Sequence, residues 1–410
     1  MNKKLQKPKG TRDLMGKTYE QRKAFLTFAE NKAEGYGFSG IETPIFEHTE
    51  VFLKGVGKET DIVSKEMYRF TTAGGDDLTL RPEGTASVMR SYIENGMISD
   101  AQPKRFYYDG FYFRHEKPQK GRYRQFTQFG VEVMGAKNPA YDALVIQLGY
   151  DILKKGIPHI IVEINELGTQ EERATYLSVL QNYYEKHKEK LPEEEKRRIE
   201  TNPLRILDSK DEQTKRINEH APKLEAYLSE ESKRYFEKVV EMLDTLSISY
   251  RIKPQLVRGI DYYEHTVFEY KLDDGETDIA FGGGGRYDGL AEILGYHESI
   301  PSIGMALGVE RAIEWSEDEA YTQGEKEKIY VCAEEEYLFP KILTLLRKNK
   351  KEGISFYPEF SIRKMKKHLE RAEKLGFSTL ILIKDENEIE KRNLKTRESR
   401  IYPIEAYLND

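Results

Sequence analysis

The stretch FYFRHEKPQKGRYRQFTQFGVEVMG, residues 111–135, decides the fold. In extended chain, side chains two apart share a face. Phe111 and Phe113 then lie on one side of a first strand, with Tyr112, Arg114 and Glu116 on the other. In a second strand Phe129, Val131 and Val133 form an apolar face, while Gln128, Gly130 and Glu132 look the opposite way. Paired as an antiparallel hairpin, the two strands bring Arg114, Glu116, Gln128 and Glu132 to one pocket. The connecting KPQKGRYRQ is too long for a tight turn. It leaves Lys117, Lys120, Arg122 and Arg124 either as a solvated hairpin tip or as a reach toward a phosphate-rich ligand.

The neighbouring sequence extends the hairpin into a sheet. From 66 to 150, short aromatic and β-branched runs, MYRFTT, DLTLRP, RFYYDGFYFRHE and YRQFTQFGVEVMG, alternate with turns, which favours an antiparallel sheet. Upstream, residues 17–34 carry apolar side chains at helical spacing, GYGFSG ends the helix, and IETPIFEH reads as a strand. From about 165 to 250 the sequence is mixed in charge and helix-forming, a helical insertion. Strand character returns in LVRGIDYYEHTVFEYKL (256–272), followed by FGGGGRYDGL (281–290) and by IGMALGVERAIEW (303–315), a strand turning directly into a helix. After a linker at 316–327, KIYVCA, ISFYPEF and STLILIKD alternate with helical segments, predicting a small α/β domain with a parallel sheet.

Composition bounds the function classes. At 410 residues the chain suggests two or three domains on a prior of roughly 150 residues each. Hydrophobic residues make up 38% and charged residues 33%, and no run approaches the ~20 apolar residues of a spanning helix; a soluble globular protein, not a membrane protein, is expected. MNKKLQKPKG has no apolar stretch behind its lysines, so neither a secretory nor a transit peptide is read and the cytoplasm is the expected address. A single cysteine, Cys332, rules out an intramolecular disulfide framework and a thiolate-rich zinc site. The eight histidines form no H-E-x-x-H or H-x-H pair, so no metal ligands are assigned. A net charge of −6 confines any nucleic-acid contact to local basic patches. Residues 341–376, with eleven Lys or Arg against four Asp or Glu, are such a patch or an ordinary charged helix face.

Several motifs leave alternatives open. Arg258, in what reads as an apolar strand, is either paired with a neighbour such as Asp261 or waiting for an anion. Gly282 to Gly285 permit close backbone approach or form a flexible turn; they do not fit G-x-G-x-x-G. GVGKET (55–60) echoes a phosphate loop with the wrong spacing and reads as a surface loop. Arg311 falls in a first helical turn after Gly308, where free N–H groups favour anions.

Taken in order, KPKGTRD near the start, the helix and ETP segment, TLRPEGT at 79–85, FRHE with its long loop, and GMALGVER resemble a class II aminoacyl-tRNA synthetase; LVRGIDYY and GGGRYDGL resemble the signatures of its histidyl family. The resemblance implies an α+β catalytic core, an antiparallel sheet flanked by helices, in residues 1–320, with the helical insertion at 165–250 and a C-terminal α/β anticodon-binding domain at 326–410. It implies a homodimer, with ATP, L-histidine and tRNA(His) as partners and no membrane, and Mg2+ carried with ATP. For catalysis it implies Arg258 and Arg114 at the α-phosphate; for ATP, Arg114, Glu116, Arg122 and Arg311, with Glu116 at the adenine and Arg311 at the γ-phosphate. For histidine it implies Glu83, Thr85 and Gln128 at the ammonium group, Glu132, Tyr263 and Tyr287 around the imidazole, and Arg258 and Tyr262 beside them. A related core, the regulatory subunit of ATP phosphoribosyltransferase, is the competing expectation. Lys117, Thr127 and the glycine-free KDENEIEKRN depart from the family pattern.

Overall fold

Residues 111–135 lie in an antiparallel hairpin of strands Lys104–Phe113 and Gln125–Met134, in register from Lys104 opposite Met134 to Phe113 opposite Gln125. The protein, described as a computed structural model, is defined for residues 5–57, 60–207, 209, 211–275, 277–317, 320–321, 327–348 and 354–404. Lys58 and Glu59 of the GVGKET loop, part of the 316–327 linker, and Lys350 and Lys351 of the basic stretch lie outside the described residues. The hairpin's connection, residues 114–124, is as expected too long to be a single tight turn. A tight turn does form within the connection, because Gln119 and Arg122 bridge across Lys120 and Gly121, and Gly121 takes φ +70°, open to glycine without strain.

The chain divides into two compact units, Met1–Tyr321 and Thr322–Asp410. In the first, the hairpin belongs to an eight-stranded sheet ordered Ser39–Gly40, Lys104–Phe113, Gln125–Met134, Ser302–Gly308, Ala280–Arg286, Glu264–Leu272, Ile160–Glu166, Tyr250–Ile252. The six inner strands are mutually antiparallel, and the two edge strands pair in parallel. Alternation gives the sheet two unlike faces. Phe129, Val131, Val133, Phe268 and Ile303 pack with helices Lys17–Gly35 and Pro139–Lys154 in an aliphatic core. On the other face Tyr108, Tyr112, Tyr262, Tyr263 and Tyr287 build a tyrosine-rich core shared with the helical insertion. That face carries the site.

Local signals account for the flanking elements. Asn138 caps helix Pro139–Lys154, its side chain accepting from Ala140 N at 2.9 Å, and Pro139 occupies the first turn, where a missing N–H costs nothing. Thr169 and Glu172 form a capping box at helix Gln170–Glu185, which opens a run of helices reaching to Glu230–Thr245.

Three readings need correction. Residues 66–150 are not sheet throughout: Thr85–Glu94 and Pro139–Lys154 are helices, and Tyr68–Thr71 and Asp77–Leu80 pair in a small sheet apart from the hairpin's. LVRGIDYY is an irregular loop and the strand begins at Glu264; Leu256, Val257 and Ile260 are apolar because they pack into the tyrosine-rich core, not because they alternate in a sheet. Of IETPIFEH, Phe46–His48 is strand, within a small three-stranded sheet with Asp77–Leu80 and Tyr68–Thr71. The four glycines form no turn. They lie inside strand Ala280–Arg286, so tightly flanked that a Cβ on Gly284 would overlap the Gly304 carbonyl oxygen and approach Met305 Cα at 2.7 Å. Gly284→Ala is therefore expected to destabilise the protein by about 3 kcal/mol or more, beyond the usual overpacking range because backbone cannot yield as a rotamer can. An unchanged denaturant midpoint would contradict this packing.

The second unit holds a five-stranded sheet in which Ile354–Pro358, Glu327–Ala333 and Thr379–Ile383 run parallel, with helices Phe339–Lys348 and Met365–Lys374 in the connections. Glu388–Asn393 and Ser399–Pro403 extend it as an antiparallel hairpin, so the sheet is mixed rather than parallel throughout. The glycine-free turn before Glu388 closes because Asp385 Oδ1 accepts from the Asn387 and Glu388 amides at 2.8 and 2.9 Å, an aspartate's way of making a turn.

Candidate active site

Above the tyrosine-rich face lies a cavity of about 360 Å³. The hairpin supplies Arg114, Glu116, Arg122 and Gln128; the loop before Glu264 supplies Arg258, Tyr262 and Tyr263; Glu83, Thr85 and Arg311 complete the set of expected residues that line it. Glu132 and Tyr287 do not line the cavity. They sit directly behind it, Glu132 Oε1 accepting from Thr85 Oγ1 at 2.7 Å and Glu132 Oε2 accepting from the Tyr287 hydroxyl.

At the closed end the chemistry is that of buried acceptors. Glu83 takes hydrogen bonds from the amides of Thr85 (2.7 Å) and Ala86 (3.0 Å), capping helix Thr85–Glu94, with Tyr262 Oη at 3.4 Å. Burial pushes its carboxyl up against the effect of those donors. Glu132, fully buried, is pushed up to about 7 by desolvation, although Tyr287, Thr85 and Tyr108 all donate to it. Gln128 Oε1 is buried without a hydrogen-bond partner, an acceptor that a ligand's N–H would satisfy.

At the open end the groups are guanidinium ions. Arg114 Nε donates to the Pro82 carbonyl at 2.9 Å and its guanidinium lies over the Phe126 ring at 5.4 Å, so both its contacts restrict the plane it presents. Arg258 pairs with Glu269, not with Asp261, which instead accepts from Asn202 Nδ2 at 3.1 Å. The reason is sheet geometry: Glu269 sits on the cavity face of strand Glu264–Leu272, opposite Gly283, whose missing Cβ leaves room for Arg258 Nη1. Arg258 Nε remains buried without a partner. Likewise a Cβ on Gly285 would stand 2.8 Å from the Tyr263 ring. The glycine strand is thus the bed on which Arg258 and Tyr263 lie. Arg311, beyond it, donates to the Ala280 carbonyl; burial and the nearby charge of Arg122 draw its pKa down, a positive field suited to an anion. Glu116 stands 3.4 Å from Arg122 and 4.0 Å from Arg114.

Among the residues of this site that escaped the sequence are Tyr108, Glu269, Phe126 and Glu66. Tyr108, which donates to Glu132 at 2.8 Å, shares a strand face with Tyr112 and was readable by period two. Glu269, a charge within the apolar run HTVFEY, was readable too. Phe126 shares the strand face of Gln128 and Glu132 and was readable in the same way; Glu66 enters the cavity wall through tertiary packing. Thr127, one of the departures, donates from N (2.8 Å) and Oγ1 (2.9 Å) to Glu310 and ties the hairpin to helix Val309–Glu314. No group of three or more His, Cys, Asp or Glu placed to hold a metal ion occurs among the described residues.

A six-stranded antiparallel core with a motif hairpin, an arginine-lined cleft and a helix following the last strand is the catalytic architecture of a class II aminoacyl-tRNA synthetase. Residues 10–312 match the family described as Histidyl-tRNA synthetase. A histidine-tRNA ligase of Caldicellulosiruptor bescii is 40% identical over 98% of this chain and 97% of its own. One of Bacillus subtilis is 40% identical over 96% and 94%. The apo histidyl-tRNA synthetase of S. aureus superposes with a TM-score of 0.80 at 33% identity, covering 99% of both chains. A Bacillus halodurans structure described as an ATP phosphoribosyltransferase regulatory subunit/histidyl-tRNA synthetase shares the fold, with a TM-score of 0.65 at 21% identity over 94% of this chain and 100% of that one. The chain belongs to the histidyl-tRNA synthetase family.

Proposed function

We propose that the protein is a histidine-tRNA ligase, activating L-histidine with ATP to histidyl-adenylate and transferring the histidyl group to the 3′ end of tRNA(His) during translation. The observation that carries this reading is the pairing, in residues of one cavity, of an unpartnered buried acceptor, Gln128 Oε1, with an unpartnered buried donor, Arg258 Nε. A zwitterion reacting with a phosphate needs both.

In this mechanism the ammonium group of histidine is held by Glu83, Thr85 and Gln128, and Tyr263 faces the imidazole with Tyr262 between the two sets; Glu132 and Tyr287, behind the cavity wall, act on that end of the site through Thr85, whose hydroxyl Glu132 holds. The histidine carboxylate oxygen bonds to the α-phosphorus as the bond from that phosphorus to the bridging oxygen breaks, and pyrophosphate leaves. Charge grows on the non-bridging oxygens, where planar guanidinium groups bind in a bidentate way that lysine cannot match. Arg114 and Arg258 take that role; Glu116 and Arg122 hold the nucleotide, and Arg311 the γ-phosphate end. Mg2+ enters with ATP and leaves with pyrophosphate, as part of the substrate.

We assign the catalytic domain to residues 1–320, with its insertion at 165–250, and an anticodon-binding domain to 326–410. A homodimer is supported by Ile45, Phe46 and Phe70, which are exposed together on and beside the small sheet. No described helix is long and apolar enough to cross a membrane; the cytoplasm, where tRNA is charged, is the proposed address.

The direct test is amino-acid-dependent exchange of pyrophosphate into ATP, with Mg2+ and each of the twenty amino acids. Exchange with histidine alone is expected. Exchange with another amino acid would overturn the pocket assignment, and no exchange by folded protein would favour the regulatory-subunit reading. Removing residues 328–410 should leave histidine-dependent exchange largely intact while tRNA charging collapses; equal losses would count against a separate anticodon role.

A further inference from the structure

The loop that carries Arg258, Tyr262 and Tyr263 has no ladder of its own, so something must hold its backbone in place. Its N-terminal side is sealed by Asn165, whose Nδ2 donates to the Pro254 and Leu256 carbonyls at 3.1 and 3.0 Å. The centre of the loop, residues 259–263, is held from a different quarter. Arg205, on helix Leu204–Leu207 of the insertion, donates from Nη2 to the Gly259 carbonyl at 2.7 Å and from Nη1 to Asp61 Oδ2 at 3.1 Å. Asn202, just before that helix, donates to Asp261, and Arg173 of helix Gln170–Glu185 donates to the Tyr263 carbonyl. Ile206 packs in the same core as Leu256 and Tyr262. Arg205 is therefore a two-pronged brace: one prong grips the carbonyl next to Arg258, the other a carboxylate of the segment 60–66 that leads into Glu66 of the cavity wall.

We infer that Arg205 is a positioning residue for amino-acid activation: by holding the Gly259 carbonyl it sets where the Arg258 guanidinium stands, and so makes the helical insertion part of the adenylation machinery. The inference rests on the proposed role of Arg258. Its energetic logic is that of near-attack geometry, in which a misplacement of about 1 Å can cost on the order of 100-fold in rate. A lysine at 205 keeps the charge facing Asp61 but lacks the fork to grip both partners at once.

The test is a double-substitution cycle on the full-length protein, read by histidine-dependent pyrophosphate exchange and by thermal melting. Arg205→Ala is expected to lower kcat by about 10- to 100-fold, with Arg205→Lys recovering part of the loss and both variants melting as cooperatively as wild type. In an Arg258→Lys background, which leaves activity to measure, Arg205→Ala should cost little more, because the group it positions is already compromised. Wild-type rates in Arg205→Ala would overturn the inference, as would the same fold-loss in both backgrounds, which would mark an independent structural role. A wild-type protein that shows no histidine-dependent exchange would instead sink the proposed function itself.

Discussion

Arg258→Ala is expected to reduce histidine-dependent pyrophosphate exchange by about 10²- to 10³-fold, the loss that follows removal of one preorganised donor to a developing anion. Arg258 has the structural marks of such a donor. It is drawn over a glycine strand that leaves no side chain beneath it, anchored by Glu269, and retains a buried Nε with no partner. Glu269 also stands 3.7 Å from Lys271, so its charge keeps a counterion in the variant. Both members of the Arg258 and Glu269 pair keep about a fifth of their side-chain surface in solvent, 18% and 21%, so water screens the charge left behind. The variant should therefore melt close to wild type while failing to form adenylate. Equal exchange rates in folded variant and wild type would remove Arg258 from the reaction.

Glu132→Gln should lower kcat/KM for histidine by roughly 100-fold, the scale of a lost charge-assisted hydrogen bond, because the buried carboxylate holds the Thr85 hydroxyl at the cavity wall. The same substitution carries a signature in stability that does not depend on substrate. Burial lifts the Glu132 carboxyl from its ordinary 4.5 to about 7. Between those values the unfolded chain has released the proton while the folded protein keeps it, so the folded state binds more protons and stability falls as pH rises through the window. The full effect is on the order of 3 kcal/mol. It is complete above about pH 7 and absent below about pH 4.5. Glutamine has no proton to hold, so the variant should lose this slope and, without histidine, equal or exceed wild type in denaturant midpoint at pH 8. Parallel pH profiles for the two proteins would show that Glu132 is not the buried acid described here. Unchanged kcat/KM would separate it from histidine recognition.

Much of this protein was legible before any fold was known, and the legible part is local. Period two in residues 111–135 determined the hairpin and sorted Gln128 and Glu132 from Phe129, Val131 and Val133, because alternation across a pleat is a property of the backbone itself. The capping residues Asn138 and Thr169 stand beside the helices they begin, but helix Pro139–Lys154 reads as part of a sheet, because the aromatic runs before it set the pattern. What tertiary structure decided were the choices local sequence leaves open. The LVRGIDYY segment has strand-like apolarity, yet it is a loop, since its apolar residues are claimed by a core assembled from the insertion and the sheet. Arg258 could have paired with Asp261 three residues away; it meets Glu269 instead, because the sheet places that carboxylate across from Gly283. The glycine run allowed either a turn or a close-packed strand, and neighbours on both sides made it a strand. Burial of Glu132, and with it the lifted carboxyl, depends on Thr85, Tyr108 and Tyr287 converging from three separate segments. Such convergence is a sum over distant contacts, and no window of sequence contains it.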